Sequence, residues 1–263
     1  MDLGLAGRPA LVAAASKGLG KACAAALAAE GARVAICARE EGPLDEARRE
    51  LAAASGAEVM AIPADVATEE GAVGFVRQAS EALGGCQILV ANAGGPPAGE
   101  VLSFGDDDLR AALDLNFLST VRMIREAVPR MREGGYGRVV IISSSAVKQP
   151  IEGLVLSTSA RAAAAGWARN LADELAGEGI TVNTVLPGRF ETDRVRWLRE
   201  RRAEAEGRDP GEVARAEAEA IPAGRIGDPA ELGAVVAFLC SEQAGYVTGT
   251  FVSIDGGMYR GLF

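Results

Sequence analysis

The stretch Pro9-Ala10-Leu11-Val12-Ala13-Ala14-Ala15-Ser16-Lys17-Gly18-Leu19-Gly20 decides the fold. Its first seven residues are small or apolar, as a buried strand requires, and its end opens a helix expected over Gly18 to Glu30. Glycines in a strand–turn–helix connection let the backbone approach a pyrophosphate, and the helix start offers unpaired N–H groups and a partial positive charge. Ala14, Ser16, Lys17, Gly18, Leu19 and Gly20 are therefore candidate cofactor-binding residues. Taken alone, the turn is also compatible with an ordinary tight βα connection, so the rest of the chain decides.

Outward from this stretch, short apolar runs alternate with amphipathic ones. Strands are expected over Pro9–Ala15, Arg33–Ala38, Glu58–Ile62, Gln87–Ala91, Gly137–Ser143, Ile180–Leu186 and Thr250–Ile254. Helices are expected over Leu44–Ser55, Thr68–Leu83, Asp106–Arg132, Gly153–Ala176 and Pro229–Ser241. Repeated strand–helix units with near-continuous apolar strands imply an α/β fold: a Rossmann-type, doubly wound, seven-stranded parallel sheet with helices on both faces. Residues 1–263 read as one domain, with ligands expected outside the carboxyl ends of the strands. The stretch Arg189–Ala220 breaks the rhythm, being charged and poor in large apolar residues. It reads either as a helical lid beside the site or as a surface insertion.

Composition excludes whole classes of chemistry. The chain has no histidine, which removes His-based acid–base catalysis, Ser-His-Asp triads and most zinc sites, and no metal is expected. A formal net charge of −9 argues against nucleic-acid binding. No apolar run reaches the roughly 18 residues a membrane helix needs, and Met1–Arg8 lacks a signal pattern. Four scattered cysteines without CxxC spacing read as buried thiols in a reducing, cytoplasmic compartment.

Cofactor preference follows from charge. NAD-specific sites place a carboxylate near the end of the second strand, for the ribose 2′-hydroxyl. Here that strand ends Ile36-Cys37-Ala38-Arg39, and no carboxylate appears before Glu40. Arg39 and Lys17 are suited to a 2′-phosphate through charge-assisted hydrogen bonds, so NADP(H) is expected over NAD(H). The alternative is two solvated surface cations.

Beyond the loop, further segments carry a resemblance to the short-chain dehydrogenase/reductase family that covers the chain from Gly7 to Met258. Residues 13–20 resemble its TGxxxGxG loop, with Ala14 in the place of the first glycine. Asp65-Val66 match the residues bordering the adenine, and Asn92-Ala93-Gly94 resemble the NNAG motif. Asn116 matches the asparagine of the next helix, and Pro187-Gly188 with Thr192 resemble the PGxxxT stretch over the nicotinamide. The resemblance implies a homotetramer (or homodimer) packed through the helices at Asp106–Arg132 and Gly153–Ala176. It also implies a small-molecule substrate, with a 3-oxoacyl-carrier-protein reductase as the family's default name.

At the catalytic position the pattern fails. The family places a Ser thirteen residues before a Tyr, and a Lys four after it. In register this gives Ser144, Ser157 where the Tyr belongs and Arg161 where the Lys belongs. A phenol has a pKa of about 10 before tuning, whereas a serine hydroxyl is a far weaker acid. Arginine holds its proton above about pH 12 and cannot act as a base, although its fork suits ribose hydroxyls. The candidate catalytic residues are Ser144, Ser157, Arg161, Asn116 and, as a substitute proton donor, Lys148. Three functions compete. They are an atypical NADP(H)-dependent oxidoreductase acting on a carbonyl or hydroxyl compound, a catalytically silent NADP(H)-binding scaffold or sensor, and cofactor-free lyase- or dehalogenase-like chemistry around Arg161.

Overall fold

The structure, a computed structural model, describes residues 2–262. The first half runs β1 (Pro9–Val12), α1 (Gly18–Ala29), β2 (Arg33–Ala38), α2 (Glu41–Ser55), β3 (Val59–Pro63), α3 (Glu69–Leu83) and β4 (Ile88–Ala91). Then come α4 (Asp106–Leu113), α5 (Ser119–Glu133), β5 (Gly137–Ile142), α6 (Val155–Leu175) and β6 (Ile180–Pro187). The chain closes with α7 (Asp193–Glu206), α8 (Pro210–Glu219), α9 (Pro229–Leu239) and β7 (Phe251–Ile254).

All seven strands form one parallel sheet in the order β3-β2-β1-β4-β5-β6-β7, the doubly wound arrangement expected. The order reverses at β1, whose residues pair with β2 from Pro9–Arg33 to Val12–Ile36 and with β4 from Ala10–Ile88 to Val12–Val90. Strand side chains alternate between faces. Leu11, Ala35, Leu89 and Val139 therefore pack with Phe75, Met123 and Ile124 of α3 and α5 on one side. Ala10, Val12, Val34 and Ile36 pack with Leu27, Leu44 and Leu232 of α1, α2 and α9 on the other. Burial on both faces is why these strands read as unbroken apolar runs.

Two elements differ most from expectation. β1 ends at Val12 rather than Ala15, because Ala14 adopts a left-handed conformation that no strand accommodates. The helix expected over Asp106–Arg132 is interrupted by a wide π-type turn, Asp114–Leu118, between α4 and α5. Such turns re-aim side chains locally, and here the one re-aimed is Asn116. The charged stretch after β6 folds into two helices, α8 starting where Asp209 accepts from the N–H groups of Gly211 and Glu212 with Pro210 in the first turn. Arg199 fastens this pair to the sheet edge: Nη2 reaches Glu191 at 3.0 Å and Nε reaches Glu217 at 3.0 Å, while Arg189 also meets Glu217 at 3.0 Å.

Candidate active site

The glycine-rich turn leaves the carboxyl end of β1 between its two neighbours. Ala13 N donates to Val90 O at 3.1 Å and Ala15 N to Cys37 O at 2.9 Å. Between them Ala14 has φ +48°, and among the described residues it is the one non-glycine with a positive φ. Asn92 braces the turn, its Nδ2 donating to Ala13 O at 3.2 Å and Ala14 O at 3.3 Å. Gly20 makes this closeness feasible, since a Cβ there would stand 2.4 Å from Ala14 O and 2.8 Å from Asn92 Nδ2. Lys17 precedes α1 in extended conformation and places no side-chain oxygen on the helix start, so the first N–H groups are left for another acceptor. Leu19 packs against the core beneath, and Ser16 is half-buried in the turn. Cys37 lies under the loop, where burial pushes its thiol up to about 12 against the opposing effect of the Ala14 backbone.

Toward the edge of β2 and β3, Lys17 and Arg39 are exposed, and among the described residues neither forms an ion pair. Val66 is buried, and Asp65 Oδ1 accepts from Ala67 N at 3.0 Å. Thr192 caps α7, its Oγ1 accepting from Val195 N at 3.3 Å, and its methyl lies 3.6 Å from where a Cβ on Gly18 would sit. The first residue before the charged helices thus touches the glycine-rich turn.

The catalytic candidates gather at the ends of β4 and β5. Asn116 is buried in the π turn. Its Nδ2 donates to Gly94 O at 2.8 Å, and its Oδ1 has no hydrogen-bond partner among the described residues. Arg161, from the second turn of α6, reaches the same carbonyl. Its Nη1 donates to Ile142 O at 2.7 Å and Ser143 O at 3.3 Å, its Nη2 to Ala93 O at 3.3 Å and Gly94 O at 3.5 Å, and its Nε to Ser157 Oγ at 3.2 Å. The fork thereby ties β4 to β5 at their carboxyl ends. Ser144 follows β5, its Oγ accepting from Ala146 N at 3.1 Å. Pro187 ends β6, and Gly188 N donates to Ile254 O at 2.9 Å, bringing the end of β7 alongside.

Lys148 ends the short turn that Ser144 begins. Its Nζ lies 4.9 Å from the centroid of the Tyr259 ring. Tyr259 was invisible to motif reading because it falls one residue beyond the last matching segment. The signal available was its being the third of only three tyrosines, four residues after Asp255. Among the described residues no group of three or more acidic, Cys or His side chains is arranged to hold a metal ion.

Fold and site together define a Rossmann-type α/β protein with its polar cluster at the carboxyl edge of the sheet. A family model described as Enoyl-(Acyl carrier protein) reductase matches residues 13–259. The 3-oxoacyl-[acyl-carrier-protein] reductase of Vibrio cholerae is 31% identical over 257 residues, covering 98% of this chain and 99% of that protein. Dehydrogenase/reductase SDR family member 4 of Oryctolagus cuniculus is 34% identical over 254 residues, 96% of this chain and 94% of that protein. Among solved structures, L-sorbose reductase from Gluconobacter frateurii, in complex with NADPH and L-sorbose, superposes with a TM-score of 0.96 at 32% identity over 100% of both chains. The chain belongs to the short-chain dehydrogenase/reductase family.

Proposed function

We propose that this protein is an NADP(H)-dependent oxidoreductase that interconverts a small carbonyl compound and its alcohol, with an atypical acid–base arrangement. The observation that carries the reading is the convergence of Asn116, Arg161 and Ser144 beside a braced glycine-rich turn on one edge of the sheet. The residues fit a dinucleotide. The start of α1 lacks a side-chain cap, Gly20 leaves room that a Cβ would fill, and the buried Asn116 Oδ1 awaits a donor. When bound, the reduced nicotinamide supplies the hydride.

Residues 14–20 would hold the pyrophosphate against the positive end of α1, and Arg39 with Lys17 would meet the 2′-phosphate. Asp65 and Val66 border the adenine. Ala93, Gly94, Pro187, Gly188 and Thr192 enclose the nicotinamide end. Arg161 would turn its Nη2, which bonds Ala93 O at 3.3 Å and Gly94 O at 3.5 Å, to the ribose hydroxyls, while the Nη1 bond to Ile142 O keeps it in place. Ser144 hydrogen-bonds the substrate oxygen, and Asn116 Oδ1 accepts from a water on the proton path. Ser157 is engaged by Arg161 and contributes position rather than acidity.

The names of the relatives, a 3-oxoacyl-[acyl-carrier-protein] reductase and an L-sorbose reductase, both denote carbonyl reduction, which supports a carbonyl substrate here. The four buried free thiols fit a cytoplasmic setting. The exposed Leu109 and Leu113 of α4, with Ala162 and Ala163 of α6, suit a homotetramer or homodimer packed through these helices.

A second reading, a silent NADP(H)-binding sensor, is favoured by one observation. Arg161 Nε donates to Ser157 Oγ, and neither side chain has a pKa suited to proton exchange near neutral pH. The deciding experiment follows oxidation of NADPH with a panel of ketoses, β-ketoesters and β-ketoacyl thioesters, beside a Ser144→Ala control. Turnover at least tenfold above the control supports the reductase, and equal rates support the sensor.

A further inference from the structure

We propose that Arg122 is a positioning residue that ties the adenine end of the dinucleotide site to Asn116, so that adenine binding steadies the turn carrying that asparagine. This rests on the NADP(H) reading above.

The adenine end is the turn that follows β3. Ala64 N donates to Ala38 O at 3.0 Å, which seats this turn beside Arg39 at the end of β2. The turn is closed on itself. Asp65 Oδ1 accepts from Ala67 N at 3.0 Å, and Asp65 O accepts from Thr68 N at 3.1 Å and from Thr68 Oγ1 at 2.9 Å. Residues 64–68 therefore shift together when a ligand presses on Asp65 and Val66. Ala67 O carries that shift to α5, because it accepts from Arg122 Nη1 at 3.2 Å.

The other arm of the same guanidinium lies 3.3 Å from Asp114 Oδ1. Helical side chains lean toward the amino end of their helix, which is how Arg122 reaches back along α5 to Asp114. Asp114 opens the wide turn Asp114–Leu118 in which Asn116 sits. One mostly buried arginine thus spans from the adenine turn to the turn of Asn116.

The wide turn is the element so biased. A π-type turn departs from the α-helical ladder, and two carbonyls within this one take side-chain donors. Leu115 O accepts from Ser119 Oγ at 2.5 Å and Asn116 O from Thr120 Oγ1 at 3.3 Å. The Asn116 side chain has one fixed bond, Nδ2 to Gly94 O at 2.8 Å, and its Oδ1 has no partner among the described residues. The hold on Asp114 therefore helps set where that Oδ1 stands. A half-exposed ion pair contributes little by itself. Here the guanidinium also bonds Ala67 O, so fixing the adenine turn fixes its grip on Asp114.

The test uses the full chain and adenosine 2′,5′-bisphosphate, which carries the adenine and the 2′-phosphate but no nicotinamide. Amide exchange is read by mass spectrometry with and without saturating fragment, in wild type, Asp114→Ala and Arg122→Met. In wild type the fragment should slow exchange over residues 114–118 about fivefold, the lower end of the usual coupling between sites. Both variants should still bind the fragment, within about fivefold of wild type, and show no such slowing. Asp114 is half-exposed and alanine suits a helix, so Asp114→Ala decides even where Arg122→Met does not fold. A fragment that binds wild type without slowing residues 114–118 would overturn the inference and leave the NADP(H) reading standing. Wild-type slowing in Asp114→Ala would overturn it as well, by showing that the pair is only structural. If NADPH binds and the fragment does not, the adenine end makes no contact of its own and the inference falls alone. If neither binds, the inference and the NADP(H) reading fall together.

Discussion

Arg161 Nε donates to Ser157 Oγ at 3.2 Å, so the two residues that occupy the family's lysine and tyrosine positions are bonded to each other. An arginine holds its proton above about pH 12, and a serine has no comparably acidic one to exchange. What the pair offers is mechanical. Four carbonyls at the ends of β4 and β5 accept from the one guanidinium. Arg161→Met should therefore destabilise the protein by about 2–4 kcal/mol, as partly buried carbonyls lose charged donors, and should weaken NADPH binding as well. Ser157→Ala should cost only about 1 kcal/mol. Urea unfolding of both variants checks this, and equal stabilities would refute the brace.

Ala14 carries a second testable strain. An L-residue in the left-handed region costs about 1–2 kcal/mol, and Ala14 sits there at φ +48°. Ala14→Gly relieves this at some expense in unfolded-state entropy, so a net gain of about 1 kcal/mol is expected, or about 2–4 °C in Tm. Gly20→Ala should do the reverse, because its Cβ would collide with Ala14 O, and should abolish dinucleotide binding. Calorimetry and NADPH titration of both variants are the checks. A destabilised Ala14→Gly would show that the loop is not strained.

The same two residues show how far the sequence could be read. The unbroken apolar runs around Leu11, Val34 and Leu89 made the parallel sheet legible, since burial on both faces leaves a continuous apolar signature. The ends of β1 and of the helix after Gly94 were not, because tertiary hydrogen bonds decide them. Asn92 holds Ala14 in a conformation alanine does not favour, and the Asn116 bond to Gly94 O goes with a wide turn in an otherwise regular helix. Ser144, Asn116 and Arg161 were matched to the family's positions, and they gather at the neighbouring ends of β4 and β5. Lys148 was legible as a cation four residues after Ser144, but its neighbour Tyr259 lies 111 positions away, and no local pattern links them.

The charged helices α7 and α8 should open locally when their latch is cut. Arg199 and Glu217 side chains are each only 11% exposed. The Arg199 guanidinium is held above its usual range, first by its hydrogen bond to Glu191 and then by that to Glu217. Arg199→Ala removes both contacts, while Glu217 keeps Arg189, so a local loss of about 1–2 kcal/mol is expected. Amide exchange in α7 and α8 should then quicken about tenfold, with β1 and β4 unaffected. Unchanged exchange would mean that packing of Ala203 and Val213 alone holds the helices down.

Burial pushes the thiols of Cys23, Cys37 and Cys86 up to about 12 and raises Cys240 as well. Below the unfolded-state value of about 8.5 both states keep these protons and stability is unaffected. Between about pH 8.5 and 12 the unfolded chain releases them first, so stability falls as pH rises, by at most about 1.4 kcal/mol per pH unit for each thiol. Urea titrations from pH 7 to 10 should show this decline, and thiol reagents should label the native protein slowly and the unfolded chain fully. Rapid native labelling at neutral pH would contradict the burial.

The central claim is that the turn at residues 14–20, with Arg39 and Lys17 beside it, holds an NADP(H) dinucleotide. The most direct measurement is equilibrium titration of the protein with NADPH and with NADH, followed by nicotinamide fluorescence, in wild type and Arg39→Ala. Saturable binding of one NADPH per chain, at least tenfold tighter than NADH, with that preference lost in Arg39→Ala, is the predicted result. Absence of binding by either dinucleotide at millimolar concentration would contradict it.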